Sequence, residues 1–131
     1  MIVVANTDPK KTRMWGFLKE RGVQLQRSED FQAIGRVGAS GDLIGVVAYN
    51  GFNGNVCQMH IAGDGNWVSR EFIKVAFDYP FNQLGLVAIL APVPANNRKA
   101  LRFDQHFGFK EIYRIAKGWV RFTEGKPMYV A

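Results

Sequence analysis

The sequence predicts an α+β sandwich: a mostly antiparallel sheet with helices on both faces and one βαβ crossover. Three observations lead there. Strand-like runs separated by glycine-rich turns fill residues 31–62, which reads as a meander. From Trp67 the apolar period becomes helical. The stretch "GLVAILAPV", residues 85–93, is then nearly continuous in apolar residues, the mark of a strand buried on both faces.

Taken in order, Asp8-Pro9 can open a first helix, because proline suits a first helical turn. Met14, Trp15 and Leu18 follow at helical spacing, with Arg21-Gly22 as the stop. Phe31–Val37 reads as a strand, "GASGD" as a hairpin turn and Leu43–Tyr49 as the returning strand. "NGFNGN" is a second turn and Val56–Ala62 a third strand. Trp67–Leu84 is too long for a strand, with apolar Val68, Phe72, Val75, Ala76 and Tyr79 on a helical period, and Pro80 is expected to kink or tighten it. After the apolar run come a helix over 97–107 and strands near Phe109–Ala116 and Val120–Thr123, with room for a last one at Met128–Val130.

The chain has 131 residues, enough for a single domain with a real core. Apolar residues make up 47% and charged ones 21%, as in an ordinary globular protein, and no apolar run is long enough to span a bilayer. The N-terminus lacks the layout of a secretion signal, and the lone Cys57 cannot form an internal disulfide. These features predict a cytoplasmic protein with no membrane partner. The net charge of +6 comes from an excess of Lys and Arg within 9–36 and 96–126, whereas the middle holds only Arg70 and Lys74 against Asp42, Asp64, Glu71 and Asp78. A basic rim suits an anionic ligand. No nucleic-acid fold signature accompanies it, which argues against a nucleic-acid partner. Two histidines and one cysteine, scattered, offer no metal-ligand spacing.

Three stretches have the residue types for chemistry. In "HIAGDGNWVSREF", His60–Phe72, a strand ends, two glycines turn and a helix begins. The first amides of a helix lack internal partners, its dipole is positive there, and glycine lets a ligand approach the backbone, so this is a phosphate cradle by construction. The same letters also make a plain turn with Asn66 as N-cap. In the helix over 97–107, a turn of 100° per residue puts Asp104 in the apolar arc of Ala100, Leu101, Phe103 and Phe107, with His106 pointing away. A carboxylate there needs a cation partner, a cleft or a raised pKa. On the strand 56–62, Cys57, Met59 and Ile61 share one face and Val56, Gln58, His60 and Ala62 the other. His60 can be a base beside the glycine turn or a hydrogen-bonded strand residue. Cys57 reads as a small core residue, since no CxxC or elbow surrounds it.

The stretch "NNRKALRFDQHFGF" resembles the GNAT superfamily of acetyl-CoA-dependent N-acetyltransferases, in its Asn97, in the small Ala100 three residues on, and in the Gly108-Phe109 that ends the helix. "NWVSREFIKVAFDYPFNQLG" looks like the third helix of that family and "LVAILAPV" like the strand after it. The wording "FDYPFNQLG" is similar to that of phage and prophage members. The resemblance spans about residues 42–117. It implies a three-layer α/β/α sandwich whose sheet splays between the strands near 56–62 and 86–92. It further implies acetyl-CoA as cofactor, its pantetheine arm paired with the strand backbone at Met59 and Ile61. The pyrophosphate is implied on Gly63, Gly65, Asn66, Trp67, Val68 and Ser69, with Asn97 near the arm.

This chain departs from the family pattern twice. The loop, which in the family reads Gln/Arg-x-x-Gly-x-Gly/Ala, is a shortened "AGDGN", and a position often held by a proton-donating tyrosine is Asp104. An aspartic acid can take that role only if burial raises its pKa; paired with a cation it would be an anchor with a depressed pKa, the reading the sequence favours slightly. His60, or a water held by Gln58, is the visible help for deprotonating an amine. The implied activity is acetyl transfer to a small-molecule or peptide primary amine by direct attack. A non-catalytic GNAT-fold protein that binds CoA or a protein partner is the alternative, and a basic module without cofactor the third. Exposed aromatics such as Trp119 could pair subunits into a homodimer.

Overall fold

The computed structural model describes residues 1–5, 9–23, 25, 30–94, 97–114 and 120–125, with side chains up to residue 110 except that of Pro94. Eleven elements follow one another: β1 (Ile2–Ala5), α1 (Lys10–Glu20), β2 (Gln32–Val37), β3 (Leu43–Asn53), β4 (Val56–Gly63), α2 (Arg70–Asp78), a π-helical turn (Tyr79–Gln83), β5 (Ala88–Pro94), α3 (Arg98–His106), β6 (Lys110–Arg114) and β7 (Val120–Gly125). The strands are hydrogen-bonded in the order β1-β2-β3-β4-β5-β7-β6. β4 and β5 are parallel, and β1–β2, β2–β3, β5–β7 and β6–β7 are antiparallel. This is the expected α+β class with its one crossover. The chain divides into two compact units, Met1–Gly51 with His60–Ala76, and Phe52–Met59 with Phe77–Ala131.

In the first unit, α1 buries Met14, Phe17 and Leu18 against Ala5, Phe31, Ala33, Val46 and Ala48. Burying side chains of this size contributes about 1.5–3 kcal/mol each for the larger ones. The helix stops where the sequence indicates: Gly22 adopts φ +80°, and the amides of Arg21 and Gly22 bond to the carbonyls of Leu18 and Lys19, each at 3.1 Å. The 38–42 hairpin turn is also as expected, with Gly41 at φ +88° and the Gly38 amide on the Asp42 carbonyl at 2.9 Å. The Tyr49 hydroxyl donates to the carbonyl of Ala76, which ties β3 to α2.

The second unit contains the parallel pairing of Val56–Gln58 with Ala88–Leu90, and β5 pairs along its other edge with β7 from Ile89 to Pro94. Phe77 packs on Phe107 and Phe109, with ring centroids 6.2 and 6.0 Å apart.

Three expectations are corrected. The strand β1 is absent from the sequence reading, because four apolar residues without a turn signal give no period to recognise. The helix expected from Trp67 begins at Arg70. Pro80 does not tighten the chain: it lies in a wider π-helical turn, where the Leu84 amide reaches the Tyr79 carbonyl at 3.0 Å and the missing proline N–H is bypassed. The strand proposed at Met128–Val130 and Trp119 lie outside the described residues.

Candidate active site

Within the first unit, β4 delivers His60 and then runs into the loop that precedes α2. His60 is 9% exposed, and its Nε2 lies 2.8 Å from Oδ1 of Asn50 on β3. An amide oxygen only accepts, so Nε2 carries the proton and Nδ1 is left as the acceptor. Burial pushes the imidazole pKa down to about 4. His60 is therefore neutral near pH 7 and a weak base.

The loop has little freedom at its start. The Asp64 amide donates to the Ile44 carbonyl at 2.8 Å, which occupies one of the donors a phosphate would use. A Cβ on Gly63 would fall 2.1 Å from Trp67 Cγ, and one on Gly45 would fall 2.9 Å from Trp67 Cε3. Gly63 is thus a seat for the Trp67 ring, which also meets Phe72 edge-on at 6.0 Å. Gly65 is different: at φ +54° it is in the left-handed region, and a Cβ there would meet nothing within 4 Å. It is the loop's open backbone position. Val68 is exposed, and Asn66 is exposed too. Capping falls to Ser69, not to Asn66 as expected: Ser69 Oγ accepts from the Phe72 amide at 3.0 Å. The helix starts late because Trp67 is held in its glycine seat and the chain turns helical only after the serine.

Two arginines hold this loop from neighbouring elements. Arg36 on β2 donates from one terminal nitrogen to the carbonyls of Asn66 and Trp67, at 2.7 and 2.8 Å. Arg21, at the end of α1, meets Asp64 through two hydrogen bonds, Nε to Oδ1 at 2.8 Å and a terminal nitrogen to Oδ2 at 2.5 Å. The hydrogen bond from Arg21 holds the Asp64 carboxyl below the usual carboxylate range.

In the second unit, Met59 on β4 is buried. Asn97 caps α3, its Oδ1 accepting from the Ala100 amide at 3.1 Å. The side chain therefore satisfies the helix end. Asp104 points into the apolar side of α3, as the helical phase predicts, and is 4% exposed. Burial raises its pKa to about 7. Among the described residues Asp104 has no ion-pair partner, and the raised pKa runs against the cation-paired anchor with a depressed pKa that the sequence favoured. His106 is exposed, as expected.

The structure gathers His60, Ile61, Gly63, Gly65, Asn66, Trp67, Val68 and Ser69 in one unit and Met59, Asn97 and Asp104 in the other. Sequence reasoning missed Arg21, Arg36 and Asn50 as site residues. Each acts across 10 or more positions of sequence, and Arg21 carried only the signal of a helix end. Among the described residues no cluster of His, Cys, Asp and Glu could hold a metal, and no helix is long and apolar enough to cross a membrane.

No protein-family model matches the chain, and no curated protein does. Solved structures do. A variant of the spermidine N-acetyltransferase SpeG from Vibrio cholerae aligns with 95% of this chain and 93% of its own, at a TM-score of 0.75 and 19% identity. A chimera of that protein with hSSAT gives a TM-score of 0.70 at 18% identity, over 95% of this chain and 93% of the other. A Klebsiella pneumoniae protein assigned as an acyl-CoA N-acyltransferase aligns over 98% and 97%, at 0.71 and 15%. The fold is that of the N-acetyltransferases. At these identities the likeness establishes the GNAT fold and leaves chemistry to the residues themselves.

Proposed function

We propose that this chain is a one-domain N-acetyltransferase that moves the acetyl group of acetyl-CoA to a primary amine. The carrying observation is the loop from Gly63 to Ser69, with Gly65 open at positive φ just before the N-terminus of α2. Such a turn suits a pyrophosphate, with the helix dipole acting together with the first-turn amides other than that of Phe72, which Ser69 caps. Gly65, Asn66, Val68 and Ser69 would contribute there. Gly63 and Trp67 would act indirectly, by shaping the loop, and Met59 and Ile61 would offer backbone to the pantetheine arm. Asn97 would hold the start of α3 in place.

In the reaction the amine nitrogen attacks the thioester carbonyl, the C–S bond breaks, and the thiolate takes a proton. Asp104, with its pKa near 7, has the protonated fraction that a donor needs. His60 would accept a hydrogen bond through Nδ1 and orient the amine. Its low basicity leaves the proton of the new ammonium to water. Phage descent, a cytoplasmic setting and a homodimer belong to the same reading, supported by the "FDYPFNQLG" wording and the cosubstrate. Spermidine, named for the Vibrio neighbours, is one acceptor to try, although a net charge of +6 disfavours a polycation at long range.

A second reading, a CoA binder without turnover, is favoured by one observation: the histidine is too acidic to be an efficient base. Thiol release from acetyl-CoA with a panel of amines, including spermidine and a peptide N-terminus, tests the first reading. Calorimetry with acetyl-CoA alone tests both. Binding without thiol release for any amine would favour the second, and no binding would sink both.

A further inference from the structure

The candidate phosphate loop contains a negative charge of its own. Asp64 stands next to Gly65, and a carboxylate at that place opposes a polyanionic ligand. The structure also shows what compensates it. The Arg21 guanidinium engages both Asp64 oxygens, donates to the Phe17 carbonyl at 3.0 Å, and lies 3.4 Å from the centre of the Phe17 ring. A terminal nitrogen also lies 3.7 Å from Oε2 of the exposed Glu20, and the Arg21 side chain is 28% exposed. Two other negative ends of the loop, the carbonyls of Asn66 and Trp67, are already taken by Arg36. Arg21 itself comes from the end of α1, 43 residues away from Asp64 in sequence.

We infer that Arg21 is a positioning residue for phosphate binding, which neutralises Asp64 and fixes its carboxylate against α1 so that the loop presents amides to the ligand. The inference rests on the acetyl-CoA reading above. It accounts for an acid in a loop that otherwise suits an anion: the acid is the loop's tether to α1, and its charge is tolerable only with the guanidinium in place. A solely structural strap would share the tethering but not the charge logic, and the two differ in what removing the acid does.

The test is calorimetry of acetyl-CoA binding to wild type, Arg21→Gln, Asp64→Asn and the double variant, at low salt and at about 0.5 M salt, where the Debye length falls to about 4 Å. Arg21→Gln should bind about tenfold more weakly at low salt, with most of the deficit gone at high salt. Asp64→Asn should bind at least as tightly as wild type, and the double variant should recover wild-type affinity. Arg21→Lys should keep most of the affinity. If Asp64→Asn loses as much as Arg21→Gln and the double variant is not rescued, the pair is a strap and the inference is overturned. If wild type binds and Arg21→Gln binds equally well, the inference alone fails. If wild type does not bind acetyl-CoA, the proposed function fails and takes the inference with it. Should Arg21→Gln not fold, Asp64→Asn decides alone: weaker binding than wild type overturns the inference, and equal or tighter binding upholds it.

Discussion

The imidazole of His60 and the carboxamide of Asn50 are joined, Nε2 to Oδ1, at 2.8 Å. That bond fixes the tautomer, and burial keeps the ring uncharged down to a pKa of about 4. An NMR titration should therefore show His60 unprotonated from pH 8 to 5. A His60 midpoint near 6.5 would refute this.

The same shift has a consequence for stability. The folded-state pKa lies below the unfolded one, so the unfolded chain binds the proton first as pH falls. The contribution is intact above about pH 6.5 and is lost as pH falls towards 4, by about 3 kcal/mol at most. In a His60→Gln variant the acid limb of the melting temperature should flatten over that window. An unchanged acid limb would show that His60 titrates alike in both states.

Asp104 shifts in the opposite sense. Its folded pKa of about 7 exceeds the unfolded value, so the folded protein holds the proton longer. Its contribution is fully present below about pH 4 and is lost as pH rises to 7, by about 4 kcal/mol at most. Asp104→Asn should gain melting temperature relative to wild type as pH rises from 4 to 8. If Asp104 is also the proton donor, turnover of wild type should fall as pH rises through 7, and the Asn variant should lose tenfold or more in rate with unchanged affinity. Unchanged turnover in Asp104→Asn would remove it from the reaction.

Gly65→Val and Asn97→Ala should separate affinity from stability. The valine strains a backbone at φ +54° and blocks the open position, so acetyl-CoA affinity should fall by about tenfold or more. Asn97→Ala removes a cap and should cost about 1 kcal/mol of stability with little change in affinity. Calorimetry and melting curves on both variants check this. Equal affinity of Gly65→Val and wild type would make the loop a plain turn.

Gly63→Ala should fail for another reason. Its Cβ would enter the Trp67 ring, and overpacking of that kind costs about 1–3 kcal/mol or more. The tryptophan emission spectrum should shift along with the loss of stability. A variant as stable as wild type, with unchanged emission, would show that the ring relocates freely.

What could be read from the sequence was periodic or local. The phase of Asp104 in the apolar arc, the Gly22 stop, the 38–42 turn and the parallel strand after the long helix all follow from spacing within a few residues. What could not be read depended on partners far away along the chain. The direction of the Asp104 pKa turned on whether a cation reaches it, and spacing does not report that. Asn66 and Ser69 are equally good caps on paper. The choice between them was made by Trp67, whose seat on Gly45 comes from another strand. Arg21 looked like the end of a helix because its carboxylate partner lies 43 residues on.

The glycine seat of Trp67 has a consequence for how this chain can change over generations. Gly45 and Gly63 leave room for one indole and for nothing more, so neither can gain a side chain while the tryptophan stays. A smaller residue at 67 would uncover the two glycines that the indole now sits against. Positions 45, 63 and 67 therefore form one heritable unit. In related chains they should be replaced together or not at all, and loops of a different length should occur where that trio is broken.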